Sequence, residues 1–203
     1  TYEFLEKSFS GKESKVVFFF LLGNHSRFDK NIPFNNREFR LLIKRISGKY
    51  SAGIHPSLQG SRDNSRKWTE IEKVRLEEII GEKVTCSRQH FLNLKFPETY
   101  HTLIDSGILA DYTMGYPGEC GFRAGISTPY RFYNVVNEQV TDLTIYPFQV
   151  MDVTLKDYLG LSPEQAIETI ESLMSEVKKS GGTFISLWHN ETLTNTGKWK
   201  GYR

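Results

Sequence analysis

Tyr50-Ser51-Ala52-Gly53-Ile54-His55-Pro56-Ser57 is a small apolar run that ends in a histidine and meets a proline at once. Proline has no N–H to give a strand ladder, so the run reads as a strand that stops near His55. An imidazole then stands at the carboxyl end of a strand, where α/β folds keep their chemistry. Two further strand-like runs finish the same way, Val84 to His90 and Thr183 to His189. A lone histidine of this kind is ordinarily a core or surface residue. Three of them at strand ends point to one common rim.

Outward from this stretch, strands alternate with helices. Lys15 to Gly23 is a continuous apolar run closed by glycine and reads as a buried parallel strand. Asn36 to Ser47 carries Phe39, Leu42, Ile43 and Ile46 at helical spacing. Leu58 to Ser65 reads as a polar loop, and Trp68 to Ile80 as an amphipathic helix stopped by Gly81. Pro97 to Ser106 is a helix that ends at Gly107, and Ile108 to Met114 a strand. Phe122 to Ile126 reads as a short strand, followed by an aromatic-rich loop through Asn134. Leu143 to Val150 reads as a strand broken by Pro147. Ser162-Pro163-Glu164-Gln165 has the signature of a helix start, and Gly181-Gly182 end that helix. The alternation predicts a parallel α/β sheet, open or closed as a barrel, in a single domain over residues 1–203.

Composition narrows the partners. With 203 residues the chain can build a substantial core. Net charge is +2 and no basic run stands out, which argues against nucleic acid. Two cysteines, Cys86 and Cys120, are too few for a disulfide framework. The longest apolar run, Val16 to Leu22, is far too short for a membrane span. No signal peptide is visible, which favours a cytoplasmic protein. The chain does not begin with Met and reads as a processed or trimmed product.

The motifs resemble those of the NodB-homology polysaccharide deacetylases, also called carbohydrate esterase family 4. Gly53-Ile54-His55-Pro56-Ser57 is similar to the family's second motif, His-Ser/Thr-x-x-His-Pro. Ser87-Arg88-Gln89-His90-Phe91 stands where the family has its Arg-containing third motif. Pro97 to Asp111 resembles the helix-Gly-strand-Asp continuation, and Phe184 to Asn190 the final strand with its histidine. Gly121-Phe122-Arg123-Ala124-Gly125 and Pro147-Phe148-Gln149-Val150-Met151-Asp152 resemble a bacterial branch of the group. The resemblance implies a distorted, seven-stranded (β/α) barrel and metal-dependent hydrolysis of an N- or O-linked acetyl group on a carbohydrate. In the family an Asp of the first motif and two His of the second hold the metal, usually zinc. A second Asp acts as base, the third-motif Arg tethers it, and the last His acts as acid.

Two departures follow. Thr1 to Ser10 reads as a helix, so the first-motif strand and its aspartates are expected to be missing. Four residues before His55, where a metal-binding His should stand, the chain has Ser51. His55 is then expected to bind metal with His90 as the replacement ligand, and the third ligand to come from an Asp upstream of Thr1. His189 is the expected acid. Arg88 either orients a carboxylate or an oxyanion, or forms a structural ion pair. Arg123, Asp111, Tyr116 and Trp188 are candidate substrate contacts. For Trp188 core packing is the alternative, for Arg123 a surface strand position, and for Asp111 a pairing with one of the arginines. The alternatives to a deacetylase are a catalytically inactive carbohydrate-binding relative and a scaffold in surface-polysaccharide assembly.

Overall fold

A computed structural model describes residues 2–11, 15–59 and 66–202. The polar loop expected over 58–65 lies largely outside them. The chain divides into two compact units. One comprises residues 11–113 and 130–145, the other residues 1–10, 114–129 and 146–203.

The first unit is built on a six-stranded sheet in the order β1-β2-β3-β4-β6-β5. These strands are β1 (Val17–Phe20), β2 (Ser51–Ile54), β3 (Cys86–Ser87), β4 (Ala110–Asp111), β5 (Tyr130–Asn134) and β6 (Gln139–Ile145). β1, β2, β3, β4 and β6 run parallel, with Phe20 opposite Ile54 and Ser87 opposite Asp111. Among the described residues β1 pairs only with β2. The helices Arg37–Ser47 and Arg66–Ile80 pack on each other and on β2, burying Ile43, Ile46, Leu76 and Ile79. Asn36 caps the first by accepting the Phe39 N–H at 2.9 Å.

The second unit holds a two-stranded parallel sheet of β7 (Val150–Met151) and β8 (Ser186–Leu187). Helix Pro163–Ser180 packs beside it and begins with the expected capping box, Ser162 and Gln165 exchanging bonds. Val150, Leu155, Ala166, Trp199 and Tyr202 form the core of this unit. The Gln149 side chain extends the short ladder by accepting the Ile185 N–H at 2.8 Å.

Three local readings are corrected. Tyr130–Asn134 is a strand, β5, antiparallel to β6, rather than part of a loop. Its aromatic residues alternate between buried and exposed as a half-covered strand requires. Phe122 to Ile126 is turn rather than strand, with Gly121 and Gly125 at positive φ. The run 143–150 is two strands of different sheets, because Pro147 cannot continue the ladder. No helix of the described residues is long and apolar enough to cross a membrane.

Gly53 is the tightest point of β2. A Cβ there would lie 2.6 Å from the Phe19 ring and 2.9 Å from the Cys86 carbonyl. Because the carbonyl is backbone, Gly53→Ala is expected to destabilise by about 1–3 kcal/mol. Urea unfolding of the variant checks this, and unchanged stability would show that the strands can part.

Candidate functional site

His55 is the first residue past β2, and its N–H still reaches the Phe20 carbonyl at 2.9 Å. Its ring Nδ1 bonds to the Arg88 carbonyl. A carbonyl only accepts, so that nitrogen carries the proton and Nε2 is bare. His90 is not a strand end: β3 stops at Ser87, and His90 opens the turn His90–Leu92. Its N–H reaches the Pro56 carbonyl at 3.3 Å. Its Nδ1 lies 3.1 Å from His55 Nε2, and its Nε2 lies 3.3 Å from the Phe28 carbonyl and 3.7 Å from Asp29 Oδ1.

With its outer nitrogen donating to the Arg88 carbonyl, His55 presents the Nε2 lone pair to His90. The 3.1 Å contact is bridged either by a proton on His90 Nδ1 or by a cation between the two nitrogens.

Two buried carboxylates hold the turn that carries His55. Asp29 accepts the Leu58 N–H at 2.8 Å and the Ser26 hydroxyl at 2.9 Å. Glu72, on helix Arg66–Ile80, accepts the Ser57 N–H at 2.9 Å and a short bond from the Ser57 hydroxyl. Burial raises the Glu72 carboxyl above its ordinary range, against the pull of the Ser57 bonds, and the Asp29 charge adds to the rise.

Arg88 follows β3, with its guanidinium 5.1 Å from the Phe19 ring centre. Its charge also draws on Asp111, which is fully buried. Ser87 and Thr113 hydroxyls donate to Asp111 at 2.8 Å, and the Thr113 N–H at 3.0 Å. Burial nevertheless pushes this carboxyl up to about 6. Asp111 is thus enclosed by protein groups.

The second unit carries a different cluster. β7 and β8 pair in parallel, so Asp152 and His189 leave neighbouring strand ends. His189 Nδ1 donates to Asp152 Oδ1 at 2.8 Å, and the His189 N–H to Oδ2 at 2.6 Å. The Thr192 hydroxyl and the Val153 N–H complete the shell at 2.6 and 2.7 Å. Burial alone would raise the Asp152 carboxyl. The His189 bond and charge, with the other donors, outweigh it and hold the group below its ordinary 3.8. The bond sets the tautomer that leaves His189 Nε2 bare, ready to exchange a proton. In the same unit Arg123 donates to the Gly115 carbonyl at 3.0 Å, Tyr116 is exposed, and Trp188 is half-buried with its N–H on Ser186 Oγ.

The imidazole pair fits two ligands of a metal. Nitrogens 2.0–2.1 Å from a tetrahedral zinc stand about 3.3 Å apart, close to the observed contact, and outer N–H groups committed to carbonyls are what ligating histidines use. Asp29 meets the outer nitrogen of His90, so it stands behind a ligand rather than beside it. Among the described residues no group of three or more His, Cys, Asp or Glu gathers to hold an ion.

No family model matches the chain. No curated protein matches it either. Solved structures do. A candidate polysaccharide deacetylase from Mycobacterium smegmatis superposes with TM-score 0.55 at 20% identity, covering 74% of this chain and 53% of its own. A candidate polysaccharide deacetylase involved in O-antigen biosynthesis, from Bordetella bronchiseptica, gives 0.51 at 13% identity, covering 96% and 68%. An allantoinase gives 0.55 at 12%, covering 75% and 50%. The chain therefore spans about half the length of two of these proteins. The chain shares its fold with these proteins, two of them described as polysaccharide deacetylases, at low sequence identity.

The sequence did not reveal Asp29 or Glu72, nor Asp152 as the partner of His189. Nothing in a polar loop or on a helix face marks a carboxylate that will be buried. For Asp152 the signal was present, an acid just past a strand parallel to the one ending at His189.

Asp152→Ala strips a buried carboxylate from four donors and is expected to cost roughly 3–5 kcal/mol. Because the folded pKa is depressed, the contribution of Asp152 is full above 3.8 and is lost as pH falls through the lower folded value. Urea unfolding at neutral and acidic pH should show the variant's deficit shrinking on acidification; a pH-independent deficit contradicts the assignment.

Proposed function

We propose that this protein is a hydrolase acting on carbohydrate, removing an N- or O-linked acetyl group, with a divalent metal, zinc by preference. The observation that supports it is the His55–His90 contact, whose inner nitrogens meet at 3.1 Å, in a chain with the deacetylase fold. His55 and His90 would hold the metal, which when bound supplies an activated water for attack on the acetyl carbonyl. Asp29 and Glu72 fix the turn that aims His55, and the Arg88 carbonyl fixes its tautomer. In the other unit His189, oriented by Asp152, is the candidate acid, with Nε2 available to give a proton. Exposed Tyr116, with Arg123 and Trp188, is assigned to substrate contact.

One observation favours a second reading, a carbohydrate-binding relative without activity: among the described residues no third ligand joins the pair. Acetate release from acetylated oligosaccharides, with and without added zinc, separates the two. The deacetylase reading expects zinc-stimulated release, lowered about 10²–10⁴-fold by His189→Ala. It also expects zinc affinity, measured by calorimetry, to fall with either His55→Ala or His90→Ala. Sugar binding without acetate release, at any zinc concentration, would establish the inactive relative.

A further inference from the structure

Positive charge is unevenly placed along the chain. Residues 15–50 hold eight lysines and arginines against two acids, Asp29 and Glu38, while the whole chain carries only +2. Asp29 is buried on donors of its own, so its charge faces inward. Helix Arg37–Ser47 sorts the cations. Its Ile43 and Ile46 are buried. At about 3.6 residues per turn, Arg37, Arg40, Leu41 and Lys44 fall within an arc of roughly 100° on the opposite side. Arg37 and Lys44 are exposed, and Leu41 is 50% exposed. Elsewhere Arg66, Lys73, Arg131, Lys179 and Lys198 each meet a carboxylate. Among the described residues no carboxylate meets Arg37, Arg40 or Lys44.

With Asn35, these side chains line an open cleft of about 320 Å³. Cations gathered without counter-ions repel one another and favour an anion among them. Arginine forks suit carboxylates, which they grip at two points. Leu41 sets an apolar spot between the charges, where the C–H face of a sugar ring can rest. Residues 37 and 44 are separated by about 10 Å along the helix. That spread suits a charge repeated along a polymer better than a single small ion. A membrane surface would call for a row of apolar side chains, and Leu41 is the one large apolar residue exposed on this helix. The helix stops at Ser47, just before β2 starts at Ser51. Its first turn therefore lies toward the other end of β2, where His55 stands.

We propose that the Arg37–Arg40–Lys44 face is a docking track for an anionic polysaccharide, which it leads toward His55. This rests on the carbohydrate reading above and names the substrate class, an acetylated polymer of acidic sugars. Arg37 and Arg40 take carboxylates of successive sugars, Lys44 extends the charge along the helix, and Leu41 meets the apolar face between them.

The test compares, by calorimetry, binding of partly O-acetylated polygalacturonate and of a neutral N-acetylglucosamine oligomer. The proteins are the wild type, Arg37→Glu/Lys44→Glu, and Lys178→Glu/Lys179→Glu, which makes the same change in net charge on helix Pro163–Ser180. The wild type is expected to prefer the acidic polymer and to lose that preference as salt rises. Arg37→Glu/Lys44→Glu should bind the acidic polymer about tenfold more weakly at low salt, with its unfolding temperature and its affinity for the neutral oligomer unchanged. Lys178→Glu/Lys179→Glu should stay within about twofold of the wild type. Equal wild-type affinity for the two sugars, or an equal loss in both variants, overturns the track and leaves the carbohydrate reading standing. Binding of phosphatidylglycerol vesicles that is lost in Arg37→Glu/Lys44→Glu, while polymer binding is kept, gives the face to a membrane and also overturns the track. A wild-type protein that binds neither sugar overturns both.

Discussion

A strand that reaches Pro56 has no N–H with which to go on, so the chain must turn directly behind His55. The turn is buried, and its amides must find acceptors inside the protein. Glu72 takes the Ser57 N–H and hydroxyl, and Asp29 takes the Leu58 N–H. These carboxylates come from a helix and a loop on either side of β2 in sequence. Losing either would leave a buried donor unsatisfied, at about 1–3 kcal/mol, and would free the residue that carries the imidazole. The placement of His55, and through it the meeting with His90, depends on this anchoring.

From the anchored turn the chemistry follows by proton counting. The Arg88 and Phe28 carbonyls take the outer nitrogens, and the inner ones are left facing each other. A proton on His90 Nδ1 or a metal cation can bridge them. In the second unit the same logic runs with a carboxylate: Asp152 fixes the His189 tautomer and leaves Nε2 bare. Both clusters use backbone and buried acid to decide which nitrogen is available, and neither depends on exposed ion pairs, which contribute little.

The sequence made the parallel strands and the helices legible because their signals are local. Pro56, the capping box at Ser162 and the glycine stop at Gly181 each act within a few residues. It misread Tyr130–Asn134, whose partner strand decides its state, and it made β3 too long, because only Cys86–Ser87 of Val84 to His90 is paired. For the site, the histidines were visible as residues just past apolar runs. The acids were not, since burial of Asp29 and Glu72 is set by packing between distant segments. Asp29, which meets the outer nitrogen of His90, comes from the segment after β1.

The central claim is that His55 holds its proton on Nδ1 and turns Nε2 toward His90 Nδ1 as a joint cation site. Nitrogen-15 NMR of the histidine side chains reads this directly. The account predicts His55 protonated on Nδ1, one proton between the inner nitrogens, and displacement of that proton when zinc is added. Two independent neutral rings, with His55 protonated on Nε2 and unmoved by zinc, would contradict it.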